Sequence, residues 1–201
     1  MDTAKLKKFA QEARVSLIEQ IKTKIELVLD SSSAARRQNP VAVQKFEKVV
    51  AEKGKEAVAD QVAYFWFNRL CALRFMDVNR YTKIGIVSPA DGEKLPEVLS
   101  EAEAGYIDNE MIPSEDVRRQ IFGLLQGTIT SATPHQDAYR LLLVAACNYW
   151  YKSMPFLFQM VNDYTELLMP DDLLSETSIL AKTRDVMQPQ DCEDVEVIGW
   201  L

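Results

Sequence analysis

Apolar residues recur every three or four positions near the start of the chain, at Leu6, Phe9, Ala13, Leu17, Ile21, Ile25 and Val28. That spacing gathers them into one stripe on a helix and predicts a long N-terminal helix over residues 3–30, with Thr3 available to cap its start. The polar, serine-rich DSSSAARRQNP (30–40) ends the pattern and reads as a loop. Pro40 suits a first helical turn, and Val43, Phe46, Val49 and Val50 carry a second helix to Gly54. A third runs from about Lys55 to Tyr81 with aromatic residues on nearly every side, which predicts a central, buried helix.

Farther on, Gly85, Pro89, Gly92 and Pro96 mark residues 82–96 as a loop, with at most a short strand at KIGIVS (83–88). Helices are expected at 96–104, 113–126 and 134–152, with Pro113-Ser114-Glu115 and Pro134 as starts. Pro155 should end or kink the apolar run around it. MPDDLLSETSILAKTRDV (169–186) reads as two short turns or helices, the second capped by Ser178, and PQDCEDVEVIGWL as a polar turn before an apolar terminus. The expected fold is mainly α: a multi-helix bundle with a long N-terminal helix and at most a short strand or hairpin in the loops. It forms a single helical region over 1–201, with a basic helical part (1–55), an apolar helical core (56–201) and the loop 82–96 as the best internal boundary.

Composition adds limits. Apolar residues make up 47% and charged residues 26% of the chain, ordinary for a globular protein. Only seven glycines occur, where average usage would give roughly 14; this argues against a turn-rich β fold. Cys71, Cys147 and Cys192 have no paired spacing, so no disulfide framework is expected. Cys71 and Cys147 sit in apolar helical runs and read as core residues. No signal peptide or membrane span is visible, and a cytoplasmic protein is expected. Charge is uneven: residues 1–55 carry 12 Lys+Arg against 7 Asp+Glu, and residues 56–201 carry 11 against 23. The basic third could touch phosphates, or simply form a solvated helix face; the acidic remainder would repel them.

Residues for chemistry are sparse. The lone histidine, His135, stands at a helix start and reads as a surface residue, and no set of zinc ligands is present. GxSxG, GxGxxG and GxxxxGK[ST] are all missing. The acid pairs Glu115-Asp116, Asp171-Asp172 and Glu193-Asp194 fall at expected helix starts, where they favour the macrodipole. Asn68, Arg69 and Arg74 lie among the aromatic residues of the third helix. A buried arginine needs a partner; Glu166 and Asp163 are candidates, as is snorkelling to the surface or anchoring in an interface. The residues alone point to a mainly helical module with no catalytic or metal-binding residues to name.

Three blocks carry a resemblance: VAYFWFNRLCALRFMDVNRY (62–81), MPFLFQMVNDYTELLMPDDLLSETSIL (154–180) and VEVIGWL (195–201). In order and spacing they resemble the N-terminal region of the large adenine-specific DNA methyltransferases of BREX phage-defence systems, the PglX type. The strong blocks cover about half of the chain; residues 1–30 match loosely, while 31–55 and 82–135 carry no likeness. The resemblance implies a following methyltransferase domain that uses S-adenosylmethionine to methylate adenine at N6 and mark host DNA. That domain's [ND]PPY catalytic loop is absent, as no two prolines are adjacent. No catalytic residue or cofactor is therefore assigned to this chain, which is expected to be a fragment ending at GWL.

By the same resemblance, the region would pack on the methyltransferase domain and help hold duplex DNA. The candidate contacts are Lys5, Lys8, Arg14, Lys22 and Lys24, with Lys7, Arg36 and Arg37 secondary, all to phosphates and none reading sequence. The competing readings are a docking module for other defence-system proteins without DNA contact, and a standalone enzyme.

Overall fold

The computed structural model describes residues 3–158 and 164–193. Their regular elements are helices: α1 (Thr3–Leu29), α2 (Ala34–Gln38), α3 (Pro40–Lys53), α4 (Lys55–Val78), α5 (Glu97–Glu103), α6 (Glu115–Leu125), α7 (Pro134–Tyr151), α8 (Tyr164–Leu167) and α9 (Ile179–Val186). A 3₁₀ turn follows at Pro189–Asp191. The mainly α bundle expected from the sequence is the fold observed.

The stripe of α1 is buried along its whole length: Leu17, Ile21 and Ile25 are fully covered, and Phe9 is 6% exposed. Each such side chain stabilises by roughly 1.5–3 kcal/mol when withdrawn from water. The stripe lies against α4, and α9 packs on both helices. A second group, α6 on α7 with α5 beside them, completes the bundle. One continuous apolar core runs from Leu6 to Cys192 through both groups.

Side-chain caps set several helix starts. Ser114 accepts the Val117 N–H of α6, and Ser178 accepts the Ala181 N–H of α9, as the sequence suggests. Asn39 caps α3 through the Ala42 N–H. The stretch 30–40 differs from the loop expected of it. Ser33 accepts the Arg36 N–H and starts the short α2, and Arg36 closes on Glu47 at 2.7 Å. Helices α3 and α4 are joined by Gly54 alone, at φ 83° and ψ 155°, a conformation essentially reserved for glycine. Gly54→Ala meets no neighbouring atom, so its cost is backbone strain. We expect a loss of about 1–3 kcal/mol, read as a lower midpoint in urea unfolding.

No strand forms at 83–88; the only bridge among the described residues joins Pro89 to Pro96. The reason lies on α4. The Asp77 carboxylate accepts the N–H groups of Ile86, Val87 and Ser88 at 2.8–3.0 Å, and the Thr82 hydroxyl at 2.8 Å. Those donors are therefore unavailable to a partner strand. Glu97 accepts the Gly85 N–H at 2.7 Å, and the Tyr139 hydroxyl donates to the Ile86 carbonyl at 2.9 Å. A side chain at 85 would fall 2.6 Å from the Ser88 carbonyl oxygen, so this close turn needs Gly85. The segment is thus a buried clasp tying α4, α5 and α7 together, with Val87 fully covered.

Candidate nucleic-acid interface

The basic residues of α1 do not share a face. Lys5 and Arg14 are about two and a half turns apart and point to opposite sides of the helix. The Lys5 ammonium donates to the Asp185 carbonyl at the end of α9, at 3.1 Å. Arg14 pairs with Asp60 on α4 at 2.8 Å; both groups are exposed, so the pair stabilises by at most about 1 kcal/mol. Lys24 pairs with Asp171, which also faces Arg140 at 3.6 Å. Lys8 is exposed and only loosely paired with Glu12, at 3.8 Å. Lys22 and Lys7 are exposed. Arg36 is held by Glu47 and the Leu29 carbonyl, and Arg37 donates to the Ser32 carbonyl.

One groove gathers part of this set. It lies between α1 and α9, measures about 340 Å³ and is lined by Lys5, Lys8, Gln20, Thr177 and Lys182, with the acids Glu12 and Asp185. Arg14, Lys22 and Lys24 lie outside it. Lys182 was not legible as a candidate in the sequence, because it joins the lysines of α1 only once α9 packs beside them.

The two arginines of α4 serve the interior. Arg69 is 1% exposed, with its guanidinium 4.9 Å from the centre of the Trp66 ring. Asp163, one partner suggested for it by the sequence, lies outside the described residues. Arg74 is 9% exposed and donates to the Met187 carbonyl at 3.0 Å and the Ser88 hydroxyl at 2.7 Å. Its direct partners are a carbonyl and a hydroxyl where a carboxylate was expected. Burial lowers the Arg74 pKa, and nearby Asp77 opposes that shift. Asn68 is half-buried.

Cys71, Cys147 and Cys192 are all buried, and burial pushes the Cys147 thiol up to about 12, which leaves it protonated and unreactive at neutral pH. Cys192, in the expected polar turn, is a core residue too. His135 is half exposed, 2.6 Å from Glu103. Asp171 and Asp172 do not start a helix: they sit between α8 and α9, where Asp171 holds Lys24 and Arg140 while Asp172 accepts the Ser175 N–H. Glu115 and Asp116 do occupy the first turn of α6. Asp194, of the third acid pair, lies outside the described residues, as does the block 195–201. Among the described residues there is no cluster of His, Cys, Asp and Glu able to hold a metal, and no helix is long and apolar enough to cross a membrane.

No family model matches the chain. Comparison with individual proteins is decisive. The chain is 35% identical, over 164 aligned positions covering 79% of its length, to the adenine-specific methyltransferase BrxX of Escherichia coli O9:H4 (strain HS). The chain corresponds to a region of the BREX PglX-type adenine-specific methyltransferases. A second relative, the adenine-specific methyltransferase PglX of Lacticaseibacillus casei (strain Zhang), is 28% identical over 246 positions covering the whole chain. That alignment is longer than the chain itself, so the PglX relative carries insertions relative to it. The chain spans 13% of the length of the BrxX protein and 19% of that of the PglX protein. The shared region is therefore a small part of each methyltransferase.

Proposed function

We propose that this chain is the N-terminal, non-catalytic helical region of a larger site-specific DNA N6-adenine methyltransferase of a phage-defence system. In this reading it packs on the catalytic domain and helps hold duplex DNA, while S-adenosylmethionine and the methyl transfer belong to the rest of the enzyme. The supporting observation is the groove between α1 and α9, where Lys5, Lys8 and Lys182 come together on a chain of net charge −7, with adenine-specific methyltransferases as its relatives. Contacts of lysine to phosphate fix position without reading sequence. The expected result is that the 201-residue chain binds a fluorescein-labelled duplex at low salt with the same affinity for unrelated sequences. Absence of binding at low salt would overturn the DNA-holding role.

A protein-docking role is the second reading. It is favoured by the exposed Phe156 (83%) and Tyr64 (62%), since aromatic residues are enriched at interfaces. It also fits the intramolecular pairing of Arg14 and Lys24. On this reading the region docks other proteins of the defence system without touching DNA, so Phe156→Ser and Tyr64→Ser abolish that association, and lysine substitutions change nothing.

A further inference from the structure

We infer that the groove between α1 and α9 is the seat of one DNA strand, and that Lys182 is its principal contact from α9. The inference rests on the DNA-holding reading above and narrows it to three residues: Lys5, Lys8 and Lys182.

The lining suits a phosphodiester chain. Lys5, Lys8 and Lys182 supply three ammonium groups, and Ser16, Gln20 and Thr177 supply uncharged polar side chains along the same groove. Two carboxylates, Glu12 and Asp185, share it, which leaves a surplus of one positive charge on a protein whose residues 56–201 are strongly acidic. Glu12 holds Lys8 only at 3.8 Å, and Lys5 is directed to the Asp185 main-chain carbonyl. Lys182 is exposed and enters no ion pair among the described residues.

Length separates a polymer from a small anion. From Lys5 to Gln20 the groove follows α1 for roughly 22 Å at the helical rise of about 1.5 Å per residue. A free phosphate would occupy a fraction of that. A DNA strand presents a charge about every 3.4 Å of axis, so several phosphates face the groove at once. Two other basic residues of α1 are poorly placed to join in: Arg14 faces Asp60 on α4, and Lys24 is held by Asp171.

Fluorescence anisotropy with a labelled duplex tests this on the 201-residue chain, its Lys182→Glu and Lys182→Gln variants, and a Lys22→Glu control. Lys182 and Lys22 are both exposed, and unchanged circular dichroism melting shows that each variant is folded. The expected result is that Lys182→Gln lowers the slope of log K against log salt by about one, that Lys182→Glu weakens binding further, and that Lys22→Glu leaves binding within twofold. If Lys22→Glu weakens binding and the Lys182 variants do not, the DNA-holding role stands and the groove assignment falls. If the unaltered chain binds no duplex at low salt, the wider role falls with it. Binding of a poly-glutamate peptide without duplex binding would overturn the assignment in favour of an acidic protein partner.

Discussion

Trp66→Ala should be among the most damaging single substitutions in this chain, lowering stability by about 3–5 kcal/mol. Trp66 is fully buried at the centre of α4. Its indole N–H donates to the Thr165 carbonyl at 3.0 Å, fastening α4 to the short α8. One face of the ring lies against Arg69, whose guanidinium is 4.9 Å from its centre. Truncation removes the largest apolar surface in the core, leaves a cavity and orphans a buried acceptor at the same time. Trp66→Phe separates these effects: it keeps most of the volume and loses the hydrogen bond, so about 1–3 kcal/mol is expected. Urea unfolding followed by far-ultraviolet circular dichroism measures both. Equal costs for the two variants would show that the hydrogen bond, and not the packing, dominates at this position.

Asp77→Ala is expected to cost a similar amount, about 3–5 kcal/mol, by a different route. One carboxylate satisfies three successive main-chain N–H groups and the Thr82 hydroxyl. Each buried donor left without an acceptor costs about 1–3 kcal/mol, and partial access of water to the loop holds the total below the simple sum. Burial raises the Asp77 carboxyl above its usual range, outweighing the donors that lower it. Asp77→Asn retains one acceptor oxygen and should lie between the wild type and the alanine variant. The observable is thermal unfolding together with hydrogen exchange at Ile86, Val87 and Ser88. Slow exchange at those amides in Asp77→Ala would contradict the account of the clasp.

The two segments on which these predictions rest differ in how far sequence reveals them. The central position of α4 was legible, because apolar residues on nearly every side of a helix leave it nowhere but the interior. The stripe of α1 was legible for the related reason that seven apolar positions fall on one side. The Asp77 clasp was not: its main-chain donors lie nine to eleven residues away in sequence, and nothing in KIGIVS shows that its N–H groups turn toward a side chain and not toward another strand. Helix α2 was hidden in the same way, since Ser33 and Arg36 stabilise it through contacts with the helices on either side. The candidate interface was half legible. Lysines close together in sequence are separated by rotation around the helix, so Lys5 and Arg14 part company. Lys182 becomes a neighbour of Lys5 and Lys8 only through the packing of α9. The family relationship was legible because it depends on residue order rather than on contacts.

Whether this helical region holds DNA through a small number of phosphate contacts, as proposed, is decided by the salt dependence of duplex binding. With three lysines each displacing a counterion, log K for the 201-residue chain should fall linearly with log salt, with a slope of about −3. An affinity that does not change with salt, or no measurable affinity at the lowest salt, would contradict it.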